Sequence, residues 1–170
     1  AEARGEIHVV GRRLGAARAF AVSPSSDPRS RKPRAAYNSV IAAGGSAVAY
    51  ESAESTFPLA KRVGRMSVLV RELRTGETTD VSALGRPAGA PSRTAFNPTI
   101  SANGRYVAFE ATDAGVAGAP STNAVWVVDR ERRTQAMVAS GSTGAAFLPR
   151  ISGDGRAIAY VTAGADGRSR

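Results

Sequence analysis

The sequence predicts an all-β fold and, within that class, a β-propeller of about three four-stranded blades that form an incomplete ring. Three observations predict it. A hairpin pattern occurs three times, as AYNSVIAAGGSAVAYE (36–51), AFNPTISANGRYVAFE (95–110) and AFLPRISGDGRAIAYV (146–161). A second strand–turn–strand pattern follows the first two copies, which makes four strands per unit. The repeat steps are 59 residues from Ile41 to Ile100 and 51 from Ile100 to Ile151, a little above the roughly 40–50 of blade repeats. Helical alternatives fail, because no segment holds a 3.6-residue period over three turns.

The hairpin copies align without gaps. Tyr37, Phe96 and Phe147 correspond, as do Ile41, Ile100 and Ile151; then Val48, Val107 and Ile158; Ala49, Ala108 and Ala159; and Tyr50, Phe109 and Tyr160. At the turn stand Gly44-Gly45, Asn103-Gly104 and Asp154-Gly155. These dipeptides tolerate φ > 0 at both positions, so a two-residue type I′ turn is expected.

Along the chain, Ile7-His8-Val9-Val10 and Arg18–Val22 flank a turn at Gly15. Residues 1–22 therefore read as the C and D strands of a blade. Residues 23–35, SPSSDPRSRKPRA, carry three prolines and no apolar period, which marks a loop. Residues 36–82 make one blade, with strands A (about 37–42), B (46–52), C (66–73) and D (77–82). A Gly/Pro loop leads to the second blade, 95–139, and an A–B hairpin follows at 146–162. The whole of 1–170 reads as a single propeller segment.

In strand B, Val48 and Tyr50 point to one face and Ala47 and Ala49 to the other. Neither face is charged, as a sheet stacked between two neighbours requires. The recurrent alanine would let adjacent blades approach closely.

The chain has 170 residues and a net charge of +9, with pI near 11.1. No run approaches the roughly 18–20 apolar residues of a membrane helix, so no membrane insertion is expected. The N-terminus, AEARGEIHVV, shows early charges and no signal peptide pattern. Cysteine is absent, which excludes disulfides and thiolate chemistry but does not fix the compartment. Lys32 and Lys61 are the only lysines. Scattered arginine with abundant alanine and glycine suits a high-GC coding bias better than a dedicated polyanion site. The run Arg29 to Arg34 is the best polyanion candidate, but it is short and reads as a solvated loop. Nucleic acid is not an expected partner; a basic polyanion-binding module would show affinity falling steeply with salt.

No catalytic constellation is present. His8 is the only histidine, it lies in a predicted strand, and no Gly-x-Ser-x-Gly elbow accompanies it. One histidine cannot form a histidine metal cluster. Asp154 and Asp166 precede glycine and read as turn residues, and Gly141-Ser142-Thr143-Gly144 reads as a linker. No cofactor or metal is expected. For binding, Asn38 and Asn97 open strand A in two units, Glu51 and Glu110 close strand B, and Arg150 sits early in the third strand A. These five are the expected partner-facing rim, where D–A and B–C loops meet.

The repeat resembles the TolB-like, WD-like β-propeller repeat. That repeat reads roughly Pro-x-hydrophobic-Ser-x-Asp/Asn-Gly-Arg, with a following strand ending in Ala-Phe/Tyr. Pro98, Ile100, Ser101, Asn103, Gly104, Arg105, Ala108 and Phe109 match it. So do Pro149, Ile151, Ser152, Asp154, Gly155, Arg156, Ala159 and Tyr160. The first unit departs with Ser39 and with Gly44-Gly45-Ser46. Val70 to Gly76 matches the later strand and turn, whereas Arg132-Arg133 breaks the turn signature of the second unit. The resemblance implies a periplasmic or secreted setting and a non-catalytic protein-binding module. The family also includes propellers attached to serine peptidases, so the alternative is a propeller fragment accessory to a prolyl-oligopeptidase-like hydrolase. About three blades are too few for the four to eight of a closed ring. Closure is expected either through a homodimer with six blades or through the remainder of a longer chain.

Overall fold

The computed structural model describes residues 9–15, 17–23, 34–54, 66–91, 93–113, 123–140 and 145–163. His8, Arg29 to Pro33 of the basic run, Gly141–Gly144 and Asp166 lie outside the described residues. β-Branched and aromatic residues alternating with small or polar ones give strands throughout. These are β1 (Val10–Arg12), β2 (Ala19–Ala21), β3 (Arg34–Ile41), β4 (Ala47–Glu54), β5 (Met66–Glu72) and β6 (Thr78–Asp80). Then come β7 (Arg93–Ile100), β8 (Tyr106–Asp113), β9 (Ala124–Asp129), β10 (Thr134–Ala139), β11 (Ala146–Ile151) and β12 (Ile158–Thr162). Among the described residues there is no helix, and so none long and apolar enough to cross a membrane.

The fold is all-β and propeller-like. Two four-stranded antiparallel sheets, β3-β4-β5-β6 and β7-β8-β9-β10, are two blades. The pairs β1-β2 and β11-β12 flank them. The β1-β2 pair repeats the outer half of the first blade 59 residues earlier. The Val9 amide donates to Ser23 Oγ at 3.0 Å, as the Val68 amide donates to Ser82 Oγ at 3.3 Å. The Val22 and Val81 amides donate to the Val9 and Val68 carbonyls at 2.9 and 3.0 Å.

The A–B turns are wider than the two-residue type I′ turn that the dipeptides favour. The Gly104 amide donates to the Ser101 carbonyl at 2.9 Å, and the Ser101 amide to the Tyr106 carbonyl at 2.9 Å. Of the pair Asn103-Gly104 only Gly104 has positive φ, +76°; the same holds for Gly45 at +67° and Gly155 at +74°. The reason is the side chain before the turn. Ser101 Oγ donates to Asn103 Oδ1 at 2.8 Å and accepts from the Tyr106 amide at 2.9 Å. Asn103 Oδ1 also accepts from the Arg105 amide at 3.0 Å. A side-chain oxygen thus takes the place of one ladder bond, and a four-residue loop built around a local Asx turn results. Ser152 and Asp154 build the third turn the same way.

Neighbouring blades meet through opposite faces of different texture. Ala47 and Ala49 of β4 belong to one buried cluster with Val68, Val70, Val107, Phe109 and Val128. Val48 and Tyr50, on the other face of β4, join Val9, Val22, Ala36 and Leu69 in a second cluster. The small-residue face of one blade therefore receives the bulky face of the next. Ala49, Ala108, Tyr50 and Phe109 are all fully buried. The turns also interlock across blades. The Ala102 amide donates to the Gly153 carbonyl at 2.8 Å, and the Gly155 backbone lies against the Tyr106 ring. Arg130 donates to the Gly104 carbonyl at 2.7 Å and to Glu72 of the preceding blade at 2.6 Å.

Within the second blade, Arg105 grips Asp129 with two bonds, Nε to Oδ1 at 3.0 Å and NH2 to Oδ2 at 2.6 Å. Asp129 also accepts from the Glu131 and Arg132 amides, which closes the C–D turn. Here Arg133 adopts φ 56°, where the first blade has Gly76 at 76°. The Arg105 hydrogen bond is the main cause that holds the Asp129 carboxyl below the usual carboxylate range. A depressed folded pKa stabilises the fold above the unfolded value of about 3.9, and the gain is lost as pH falls through the folded value. Arg105→Ala is therefore expected to lower Tm at neutral pH, with the gap to wild type narrowing below about pH 4. Thermal melts of both proteins at a series of pH values check this.

Candidate functional site

Strands β3, β7 and β11 are the first strands of successive units, and they lie side by side. Each carries a bulge at the same place: register shifts occur between Tyr37 and Val40, between Phe96 and Thr99, and between Phe147 and Arg150. In each bulge one non-glycine residue takes a left-handed conformation: Asn38 at φ 43°, Asn97 at 50° and Leu148 at 53°. Asparagine is the side chain that adopts this region most readily after glycine, which accounts for the first two.

The bulges serve buried glutamates. Strand B turns Glu51 and Glu110 onto the face that meets the next blade, and they are only 3% and 2% exposed. Glu51 accepts from Asn38 Nδ2 in its own blade and from the Asn97 amide in the next, both at 2.7 Å. Glu110 accepts from Asn97 Nδ2 and from the Leu148 amide of the third unit, again at 2.7 Å, and from Asn123 Nδ2 at 3.4 Å. Each glutamate thus ties its own inner strand to the bulged backbone of the following one. A carboxylate that satisfies a backbone N–H freed by a bulge makes charge-assisted bonds where water is scarce.

The five residues expected at the rim are accordingly brought together, although not at strand ends. β3 and β4 extend beyond the expected boundaries, to Arg34–Ile41 and Ala47–Glu54, so Asn38 and Glu51 lie within the sheet. Asn97 and Glu110 lie likewise inside β7 and β8. Glu51 and Glu110 are part of the inter-blade joint. Asn38 and Arg150 are exposed, and Asn97 is half-buried. A groove of about 350 Å³ runs over the three inner strands, lined by residues 38–40 and 97–99, Leu148 and Arg150. Repetition in the sequence marks Asn38, Asn97, Glu51 and Glu110 but not their partners across blades, and Arg150 has Val40 and Thr99 at its equivalent positions.

Leu148 is the one bulky apolar side chain among the left-handed positions, and it is 48% exposed. A side chain with a Cβ costs roughly 1–2 kcal/mol in this region, and asparagine recovers part of it through local hydrogen bonding. Leu148→Asn is expected to stabilise the chain by about 0.5–1 kcal/mol, read as a rise in the urea midpoint.

Among the described residues no three His, Asp or Glu side chains gather to hold a metal ion.

No family model matches the chain, and no curated protein sequence matches it. Solved structures do. The tricorn protease is similar over 75% of this chain and 11% of its own, with 18% identity and a TM-score of 0.55. The β-propeller domain of the trilobed protease from Pyrococcus furiosus, described as having an open velcro topology, is similar over 74% and 33%, with 19% identity and a TM-score of 0.50. An oligogalacturonate lyase in complex with manganese is similar over 90% and 37%, with 14% identity and a TM-score of 0.51. At such identities the likeness concerns the fold, and that fold is the β-propeller. The chain spans about a tenth to somewhat over a third of the length of these structures.

Proposed function

We propose that this chain is part of a β-propeller domain that serves a hydrolase, with the blades handling peptide and the chemistry done elsewhere in a longer protein. The observation that carries the reading is the open groove along the inner strands, set in blades similar to the propellers of two proteases that are themselves much longer than this chain. The reading keeps catalysis off the propeller and gives the rim residues Asn38, Asn97 and Arg150 contact with the partner. Glu51 and Glu110 act behind them, as positioning residues. Closure of the ring by further blades of the same chain accords with this reading more simply than a six-blade homodimer does.

The test is the full reading frame. Its product is expected to hydrolyse fluorogenic peptides and to lose that activity on treatment with a serine-directed fluorophosphonate. A product that contains further blades alone and captures a protein partner without hydrolysis would favour the second reading, a non-catalytic TolB-like binding module. That reading draws on the repeat motif, as at Pro98-Thr99-Ile100-Ser101 and Asn103-Gly104-Arg105, and it carries the periplasmic or secreted setting with it.

A further inference from the structure

The third inner strand departs from the other two in a coordinated way. The positions of Asn38 and Asn97 are taken by Leu148, and those of Glu51 and Glu110 by Val161. Where Val40 and Thr99 stand, the third unit has Arg150. A carboxylate thus leaves the row in the same unit in which a guanidinium enters it.

The two glutamates that remain do not neutralise Arg150. Their hydrogen bonds come from the amides of Asn38, Asn97, Asn123 and Leu148. Arg150 is exposed, and its NH1 donates to the Pro149 carbonyl of its own strand at 3.0 Å. Among the described residues no carboxylate forms an ion pair with it. An arginine without a counter-ion on a groove wall favours a carboxylate, because its planar fork matches the two oxygens. Leu148 shares the groove with it. Leu148 is left-handed within its bulge, its amide donates to Glu110, and its side chain is 48% exposed in the groove. Stability alone would place asparagine or glycine there, so an exposed leucine in a strained position marks a contact surface. The volume of about 350 Å³ is within the range of small-ligand sites.

We propose that the inner groove holds a carboxylate-bearing peptide segment, its carboxylate on Arg150 and an apolar side chain against Leu148. This rests on the peptide-handling reading above, but it does not require the hydrolase: a full-length protein without peptidase activity would leave it standing.

The experiment uses fluorescein-labelled tetrapeptides Ala-Ala-Ala-Leu, titrated against the full chain by fluorescence polarisation. One arm has a free C-terminal carboxylate, the second a C-terminal amide, and the third a C-terminal amide with glutamate at the third position. The free acid is expected to bind about tenfold more tightly than the simple amide. Arg150→Gln is expected to erase that preference, while Arg150→Lys keeps part of it; circular dichroism verifies that each variant is folded. Tight binding of the glutamate peptide would assign a side-chain carboxylate as the source, and weak binding a chain terminus. Equal binding of acid and amide by the wild-type protein overturns the proposal without recourse to any variant. So does a preference that survives in Arg150→Gln.

Discussion

Replacing Glu110 by alanine is expected to destabilise the chain by about 2–5 kcal/mol. The side chain is 2% exposed and accepts from three donors, one of them the backbone amide of Leu148 in the next unit. Its loss takes the acceptor from that amide and from the Asn97 carboxamide at a blade junction. Each buried donor left without a partner costs about 1–3 kcal/mol. Glu110→Gln can keep the oxygen that accepts from Asn97 and Leu148 and turns its NH2 toward the Asn123 carboxamide alone, so its effect is expected to be at most about half as large. Glu51→Ala removes bonds from two donors rather than three and is expected to cost less than Glu110→Ala. Chemical denaturation of the four proteins, with the transition midpoint and slope fitted for each, checks the order. A loss below about 1 kcal/mol for Glu110→Ala would mean that water or another group satisfies the junction.

The second large effect is expected at Phe109. The ring is fully buried in the cluster that joins the two complete blades. Phe109→Ala removes this ring and leaves a cavity against a face made of Ala47 and Ala49. Small side chains on that face cannot reorient to fill the space, so the cost is expected near the upper end of about 3–5 kcal/mol. The reverse change, Ala49→Phe, inserts a second ring where the blades already touch and is expected to cost at least about 1–3 kcal/mol through overpacking. Combining the two substitutions swaps the large and small partners across one interface. Recovery in the double variant would show that the two side chains share one space. Guanidinium unfolding of the two single variants and the double variant measures it.

The two changes act on different parts of the joint. Phe109 fills the space between sheets, whereas Glu110 fixes the inner strand of the following unit. This division follows from the two-residue period of strand B. The odd-numbered residues Ala47, Ala49 and Glu51 face the next blade, and Val48 and Tyr50 face the preceding one.

That period was legible in the sequence, because one strand's alternation decides both faces. The four-stranded blade and the hairpin copies were legible for the same reason: turn residues and apolar anchors recur together. The turn geometry was not. Asn103-Gly104 carries the signal of a type I′ turn, but Ser101 competes for the backbone with its hydroxyl and widens the loop. The site was legible only as a set of repeated polar positions. Asn97 is bonded to Glu51, 46 positions earlier, and Leu148 to Glu110, 38 positions earlier. No local pattern specifies such a pairing, since it depends on how one blade docks on the next. The left-handed Leu148 was hidden for a related reason: its conformation belongs to the bulge rather than to its own preference, and its amide pairs with the preceding unit's glutamate.

The grip of Arg105 on Asp129 lies between these cases. Both residues stand in the repeat motif, one after Asn103-Gly104 and the other at the end of strand C. Their bidentate contact follows once β8 and β9 are paired in register, with Tyr106 opposite Asp129. The second blade thus carries this clasp in its own motif, whereas the first, with Ser46 at the arginine position, has Glu72 paired to Arg130 instead.

All of this depends on successive hairpins standing side by side, each turn touching the next. Nuclear Overhauser contacts between protons of adjacent units measure that directly. Cross-peaks are expected between the Tyr106 ring and the Gly155 α-protons, and between the Ala102 amide and the Gly153 α-protons. A spectrum of folded protein in which contacts appear within each hairpin but none joins Tyr106 to Gly155 would contradict it.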